Sequence, residues 1–164
     1  MPASSASSSP PSLGRRGEGW FALQLALMGA IVGTAFTGVY WPDRAEGVLT
    51  VLGLIAAALG LVLLAVAVAS LGAALTVLPK PRDRGGLVQS GIYRVVRHPI
   101  YGAILLIAVG WSLAESPLSL LPTALLAVVF DLKARLEESW LEERYPTYAG
   151  YRARTPHRFV PGLY

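Results

Sequence analysis

Four long apolar runs constrain this chain more than any other feature of its sequence. They extend from Trp20 to Trp41, from Val48 to Leu78, from Pro99 or Ile100 to about Ala114, and from Leu118 to about Leu132. A helix rises about 1.5 Å per residue, so the first run forms a helix of about 33 Å and can cross a hydrocarbon core of about 30 Å. The runs predict an all-α, polytopic membrane protein with about four transmembrane helices.

The composition agrees with a membrane protein. Hydrophobic residues make up 54% of the 164 residues and charged residues only 15%, whereas about a quarter of the residues in a soluble domain are charged. The chain has no cysteine, which excludes disulfides, a thiolate nucleophile and cysteine-based metal sites. No pair of histidine and carboxylate has the spacing of metal ligands, and we expect neither a metal site nor a nucleic-acid partner.

The second run is longer than a straight crossing requires. It corresponds to about 46 Å of helix, so the helix must tilt, bend or extend past the membrane. Gly53, Gly60 and the segment Ser70–Gly72 are candidate bend points. Two short passes are the alternative, but no turn residue or charge interrupts the middle of the run, which favours one long helix.

The third and fourth runs are separated by the short break Glu115-Ser116-Pro117 and therefore predict an antiparallel helical hairpin. Beyond Phe130 the sequence becomes highly charged, while Leu132, Leu136 and Trp140 recur at helical spacing. This pattern predicts that the fourth helix leaves the membrane as an amphipathic extension. Pro146 ends that extension.

Residues 1–18 contain no apolar run and are rich in serine, proline and alanine, which predicts a disordered N-terminal tail. A cleaved signal peptide is the alternative, with Arg15 and Arg16 as its basic region. The length of the chain favours one domain. We therefore expect a single integral membrane domain over residues 19–164.

The distribution of basic residues predicts the topology. The loop from Lys80 to Arg97 carries five basic residues and one acid, whereas the loops near Asp43 and Glu115 are short and not basic. Basic loops remain in the cytoplasm, so four crossings place both termini there. The same topology places Arg97-His98 and Glu137-Glu138 on the cytoplasmic side.

These two polar clusters are the candidates for chemistry. Arg97 and His98 precede a helix start at Pro99, where unpaired N–H groups and the helix dipole favour an anionic ligand; a simple membrane-boundary segment is the alternative. Glu137 and Glu138 either line a site or form a solvated helix face. Because adjacent helix positions point about 100° apart, we expect at most one of the two to face a given site.

The sequence also resembles a known superfamily, that of the isoprenylcysteine carboxyl methyltransferases and phospholipid methyltransferases. The resemblance covers about residues 87–161, nearly half of the chain. It is carried by the segment Leu87–Gly102, the run Glu137–Leu141, and Tyr145, Tyr148, Tyr151 and Pro161. One departure is Pro146, where the family often has glycine, which leaves the local turn in doubt.

The resemblance implies an integral membrane methyltransferase that uses S-adenosylmethionine, with the cofactor-binding part at about residues 87–161. It implies a pocket on the cytoplasmic side, closed by the C-terminal helix and tail. The implied cofactor-binding residues are Tyr93, Arg97, His98, Pro99, Tyr101, Gly102, Glu137 and Glu138. Arg97 and Glu138 are expected to act by orienting the reactants.

The methyl acceptor is expected to be a lipophilic small molecule or a lipid, such as an isoprenylcysteine-like carboxylate or a phospholipid amine. The oligomeric state stays open. Two alternatives for the function remain. One is an NADPH-binding membrane reductase related to sterol reductases, although those enzymes are much longer. The other is a non-enzymatic membrane scaffold whose helices pack through their glycines.

Overall fold

The computed structural model describes residues 10–11, 13–15, 17–72 and 86–162 of the chain, and all regular elements in these ranges are helical. Five α-helices follow in chain order: α1 (Glu18–Gly33), α2 (Asp43–Leu71), α3 (Pro99–Glu115), α4 (Leu120–Arg144) and α5 (Tyr148–Arg154). Short 3₁₀ turns occur at Thr34–Thr37, Gly91–Arg94 and Pro117–Ser119. The predicted all-α fold is confirmed.

Within the part of the chain that the structure describes, three helical segments are long and apolar enough to cross a membrane: Glu18–Thr37, Asp43–Leu71 and Pro117–Arg144. The predicted polytopic membrane architecture is therefore confirmed. Helix α3, Pro99–Glu115, is apolar but has only 17 residues, or about 26 Å of helix. A fourth complete crossing stays a prediction.

The ends of two predicted helices differ from the structure. Helix α1 ends before Trp41, because the chain leaves the helix after Thr37 through Gly38, which adopts a positive φ of 74° that favours glycine. Helix α2 begins at Asp43, five residues before the apolar run, because Pro42 precedes it and Asp43 and Glu46 lie in its first turn, where acids are stabilising.

Two other predictions extend beyond the described residues. Helix α2 is continuous from Asp43 to Leu71, which confirms one long helix over the part described; its predicted end near Leu78 lies outside the described residues. Residues 1–9 of the predicted disordered tail also lie outside them. The last part of that tail contacts α1, where Trp20 Nε1 donates to the Pro11 carbonyl at 2.8 Å.

Helices α2 and α3 pack closely through small residues. The buried residues of α2 are Gly53, Gly60 and Ala67, spaced seven apart, and Ala103 and Gly110 of α3 show the same spacing. A Cβ atom on Gly110 would lie 2.6 Å from the backbone nitrogen of Ala57 and 2.6 Å from the carbonyl oxygen of Gly53. The two candidate bend points Gly53 and Gly60 are thus contact points with α3.

The large apolar side chains of α2 point away from the protein. Val51, Leu54, Leu61 and Val62 are exposed by 57%, 60%, 58% and 62%. Small residues inside and large apolar residues outside are typical of a helix in lipid, where close backbone contact rather than hydrophobic burial holds helices together.

Helix α1 packs mainly on α4, and this pair supports the far side of the bundle. Phe130 and Leu126 of α4 are fully buried beside Ile31 of α1 and Ala108 of α3. Toward the other end of the pair, Trp20 packs on Val129 and Leu136 of α4. The predicted hairpin of α3 and α4 is confirmed, with its turn at Ser116–Ser119.

Side-chain hydrogen bonds connect the turn of this hairpin to the segment between α1 and α2. Ser116 Oγ donates to the Val39 carbonyl at 2.7 Å, and Trp41 Nε1 donates to the Ser112 carbonyl at 3.0 Å. The hydroxyls of Thr34 and Ser119 form a hydrogen bond. Neutral polar contacts therefore hold the bundle together at the hairpin turn. The charged residues lie at the opposite end.

A methyl group at the α2–α3 contact is expected to destabilise the bundle. Gly110→Ala would force a Cβ against two backbone atoms, and overpacking of this kind costs about 1–3 kcal/mol. The midpoint of thermal unfolding in detergent should fall. Gly29→Ala is the matched control, since a Cβ on Gly29 meets nothing within 4 Å and alanine favours a helix. Equal midpoints for the two variants would contradict the close packing.

Candidate functional site

The N-terminus of α3 and the second half of α4 meet at one end of the bundle. Pro99 begins α3 and Glu138 lies in α4. Counted from the hairpin turn, the two positions are at similar heights of about 24 Å and 27 Å, since each residue adds about 1.5 Å. The hairpin therefore brings the Arg97-His98 segment against Glu137 and Glu138, as the charge pattern predicts.

Arg97 is buried and contacts protein groups through two of its guanidinium nitrogens. Its Nε lies 2.9 Å from Glu138 Oε1, and its Nη1 donates to the carbonyls of Thr155 and Pro156, each at 2.6 Å. Arg97 and Glu138 are exposed by only 8% and 3%. The guanidinium thus joins the start of α3 to both α4 and the C-terminal tail.

His98 lies between the two glutamates. Its Nε2 is 3.0 Å from Glu138 Oε1, and its Nδ1 is 3.5 Å from Glu137 Oε2. The expectation that only one glutamate faces the site is wrong. Although the two side chains diverge on α4, the imidazole ring is inserted between them and contacts each carboxylate with a different nitrogen.

This arrangement favours the protonated form of His98. Burial alone lowers the pKa of His98, but its hydrogen bonds and charge interactions with Glu137 and Glu138 outweigh burial, so the pKa is raised from its ordinary value. The imidazolium ion then has a negative partner at each nitrogen.

Tyr101 extends the cluster toward the membrane. Its hydroxyl donates to Glu137 Oε1, and its ring stacks on Phe130 with centroids 4.6 Å apart. The ring of Phe159, from the tail, contacts Tyr101 edge-on. Glu137 is therefore held by Tyr101 and His98 at the boundary between the charged cluster and the apolar core.

The C-terminal tail closes the cluster from the side. The backbone N–H groups of Arg97 and His98 donate to the carbonyls of His157 and Arg158 at 3.0 and 2.8 Å. The Arg158 side chain contacts Glu138 at 3.4 Å and Asp131 at 2.8 Å. The prediction named neither Arg158 nor Asp131 as a site residue. The seven-residue spacing of Asp131 and Glu138 places them on one face of α4, which could have identified Asp131.

Two of the predicted site residues, Gly102 and Pro99, contribute through backbone packing and not through polar side chains. A Cβ on Gly102 would lie 2.6 Å from the Phe159 carbonyl oxygen, so only glycine lets the tail pack this closely on α3. Pro99 is buried at the first position of α3, where a missing N–H costs nothing.

Three tyrosines line the other side of the cluster. The Tyr151 hydroxyl donates to the Tyr93 carbonyl at 2.7 Å, which ties α5 to the turn before α3. Burial raises the pKa of Tyr151 to about 12 and raises the pKa values of Tyr93 and Tyr148 further. All three therefore remain neutral near pH 7 and can act as hydrogen-bond donors.

Tyr148 is the exception in this well-satisfied cluster. It is 1% exposed, and its hydroxyl is buried with no hydrogen-bond partner among the described residues. Its ring packs edge-on against the ring of Tyr151, with centroids 5.7 Å apart. A buried polar atom without a partner costs about 1–3 kcal/mol, which makes this hydroxyl a candidate contact for a ligand.

A model of the phospholipid methyltransferase family matches residues 48–148, more than half of the chain. The chain belongs to the phospholipid methyltransferase family. Its match covers α2, α3 and α4, whereas α1 and most of the tail lie outside it.

One curated relative is the cobalt-zinc-cadmium resistance protein CzcN of Cupriavidus metallidurans. It is 40% identical over 86 residues, which are 50% of this chain and 38% of CzcN. The chain thus matches well under half of the length of that relative. Within the ranges that the structure describes, no group of three or more His, Cys, Asp or Glu residues could hold a metal ion.

The raised pKa of His98 predicts a pH-dependent stability. The folded pKa lies above the unfolded value of about 6.5, so the protonated ring stabilises the fold fully below about pH 6.5, and this contribution is lost as the pH rises through the folded pKa. The gap in unfolding midpoint between wild type and His98→Gln should therefore shrink from about pH 6 to about pH 9.

His157→Gln is the control, because it removes the other histidine of the chain. Its difference from wild type should not follow the same curve. A wild-type advantage over His98→Gln that stays constant or grows with pH would contradict a charged His98.

Proposed function

We propose that this protein transfers a methyl group from S-adenosylmethionine to a lipophilic or membrane-associated acceptor. Family membership supports methyl transfer, and the charged cluster at the end of apolar helices supports the site. The observation that carries the proposal is the meeting of Arg97, His98, Glu137 and Glu138 in one buried cluster.

The charges of the cluster suit this cofactor. Three cationic side chains, Arg97, His98 and Arg158, contact the carboxylates of Glu137 and Glu138, and Asp131 pairs with Arg158 and Arg135. A site that offers both cationic and anionic groups suits a zwitterion, and the amino acid end of S-adenosylmethionine is one. A carboxylate can accept from its ammonium group or from ribose hydroxyls, and a guanidinium can donate to its carboxylate.

The unpartnered hydroxyl of Tyr148 supports the same fit. A ligand atom that accepts a hydrogen bond would remove the cost of leaving this donor buried and unpaired. The rings of Tyr93 and Tyr101 offer aromatic surface in the same cluster. The residues present therefore fit the cofactor by chemistry.

When bound, S-adenosylmethionine supplies a methyl group on a positively charged sulfur. In this proposal Glu137, Tyr93 and Tyr148 bind the cofactor, while His98 and Tyr101 hold the Glu137 carboxylate in place. Arg97 and Glu138 orient the reactants indirectly, because their ion pair fixes the start of α3 and the tail against α4. Pro99 and Gly102 let the tail pack on α3. Catalysis would come from alignment and exclusion of water.

The orientation in the membrane is part of the proposal. The basic loop from Lys80 to Arg97 favours the cytoplasmic side for the cluster, and S-adenosylmethionine would enter from there. The acceptor would approach sideways from the bilayer, since the cluster adjoins helices with exposed apolar faces.

Calorimetry on the detergent-purified protein tests the proposal with two matched tyrosine variants. Wild type should bind S-adenosylmethionine and its demethylated product. Tyr148→Phe should weaken binding by about five- to tenfold, the worth of one hydrogen bond, without lowering stability. Tyr151→Phe loses the contact with the Tyr93 carbonyl, so it should lower the unfolding midpoint and leave cofactor affinity nearly unchanged.

Lack of binding to either compound by wild type, or tighter binding of NADPH, would overturn the proposed function. Full cofactor affinity in Tyr148→Phe would remove Tyr148 from the site while leaving the function standing.

A further inference from the structure

A buried lysine lies on the membrane side of the cluster, outside the set of residues assigned above. Lys133 of α4 is only 2% exposed. Its Nζ donates to Gln24 Oε1 of α1 at 2.9 Å and lies 5.0 Å from the centre of the Tyr101 ring. Gln24 is also buried, with 8% of its surface exposed. The two residues form an isolated polar pair in the otherwise apolar contact between α1 and α4.

Such a lysine requires an explanation. A cation inside a membrane-spanning helix is costly, and such residues usually pair with an acid or mark the path of a substrate. Within the described ranges, no carboxylate oxygen lies at ion-pair distance from Lys133 Nζ. Its partners are a neutral amide oxygen and an aromatic face, which attract the ammonium group but do not neutralise its charge.

The position of the lysine points toward the proposed cofactor site. Lys133 and Glu137 are four residues apart on one face of α4 and interact electrostatically. Tyr101 connects them, since its ring faces Lys133 and its hydroxyl binds Glu137. The ammonium group is therefore one side chain away from the cluster that would hold the cofactor.

The pair lies just beneath the apolar outer surface of α1. Leu23 and Leu25, which flank the buried Gln24 in sequence, are exposed by 40% and 50%. Gln24 comes from α1, outside the part of the chain that matches the family, whereas Lys133 lies within that part.

We propose that Lys133 and Gln24 form the headgroup subsite of the acceptor and select one whose nucleophile is an acidic oxygen or sulfur. This inference rests on the proposed function and names its substrate class. A carboxylate, phenolate or thiolate gains an ion pair with the ammonium group, whereas a protonated amine is repelled. Gln24 holds the lysine side chain and donates from its amide group.

The reaction balances without a base from the protein. A carboxylic acid is already ionised near neutral pH, and a phenol or thiol releases its proton to water. The lone pair of the anion forms the bond to the methyl carbon while the carbon–sulfur bond breaks, and its electrons neutralise the sulfonium. The products are the methylated acceptor and the neutral thioether S-adenosylhomocysteine. Lys133 takes no part in the proton balance and stabilises the bound anion.

Probes with one apolar body and different headgroups test the subsite by binding. Hexylbenzoate and hexylbenzylamine are titrated into purified protein in detergent, with and without S-adenosylhomocysteine, and the unfolding midpoint is followed. Hexylbenzoate should bind about tenfold or more tightly than the amine, because a hydrogen bond to a charged group is worth more than a neutral one. In Lys133→Met this preference should disappear while S-adenosylhomocysteine affinity stays unchanged.

The double variant Gln24→Leu/Lys133→Met is the control for folding. It removes both polar partners together, which leaves no buried group unpaired, so it should be at least as stable as Lys133→Met. It should also show no preference for the acid. Methylation assays with hexylphenol, hexylbenzenethiol and hexylbenzoate against the amine then determine which acid is used.

Equal binding of the two probes by wild type, preference for the amine, or an undiminished acid preference in Lys133→Met would overturn the subsite. Failure to bind S-adenosylhomocysteine while the acid preference persists would count against the proposed function and not against the subsite.

Discussion

The carboxylate of Glu138 is the contact on which the rest of the candidate site depends. It lies in α4 and meets Arg97 and His98 from the start of α3 and Arg158 from the tail. These three segments are distant in sequence. Breaking a buried pair such as Arg97–Glu138 costs about 3–5 kcal/mol, because one charge is left without a partner. The network therefore attaches the tail to α3 and α4 and also supplies the polar groups of the candidate site.

The residues of this network are held in place by the packing of the helices that carry them. The α2–α3 contact contributes through Gly53, Gly60 and Gly110, which let the backbones approach closely. The α1–α4 contact contributes through larger side chains such as Trp20 and Phe130. At the far end, the bond from Ser116 to the α1–α2 connection fixes the hairpin turn. The charged end is thus positioned by contacts along the whole length of the helices.

The sequence predicts the parts of this arrangement that depend on local patterns. Apolar runs predict the helices, and the charge pattern predicts that the two polar clusters lie at the same end of the hairpin. Contacts that depend on how the helices pack against each other cannot be predicted from local sequence patterns. His98 lies between Glu137 and Glu138 in a segment whose backbone also pairs with the tail. Likewise, the pairing of Gln24 with Lys133 depends on how α1 is rotated against α4, which no local spacing determines.

A structure of the protein with S-adenosylhomocysteine bound tests the central claim most directly. We expect the ligand at the start of α3, with its amino acid end among Glu137, Tyr93 and the Tyr148 hydroxyl, and with the tail still paired to Arg97 and His98. A ligand bound elsewhere on the protein, or one that leaves the Tyr148 hydroxyl buried and without a partner, would contradict it.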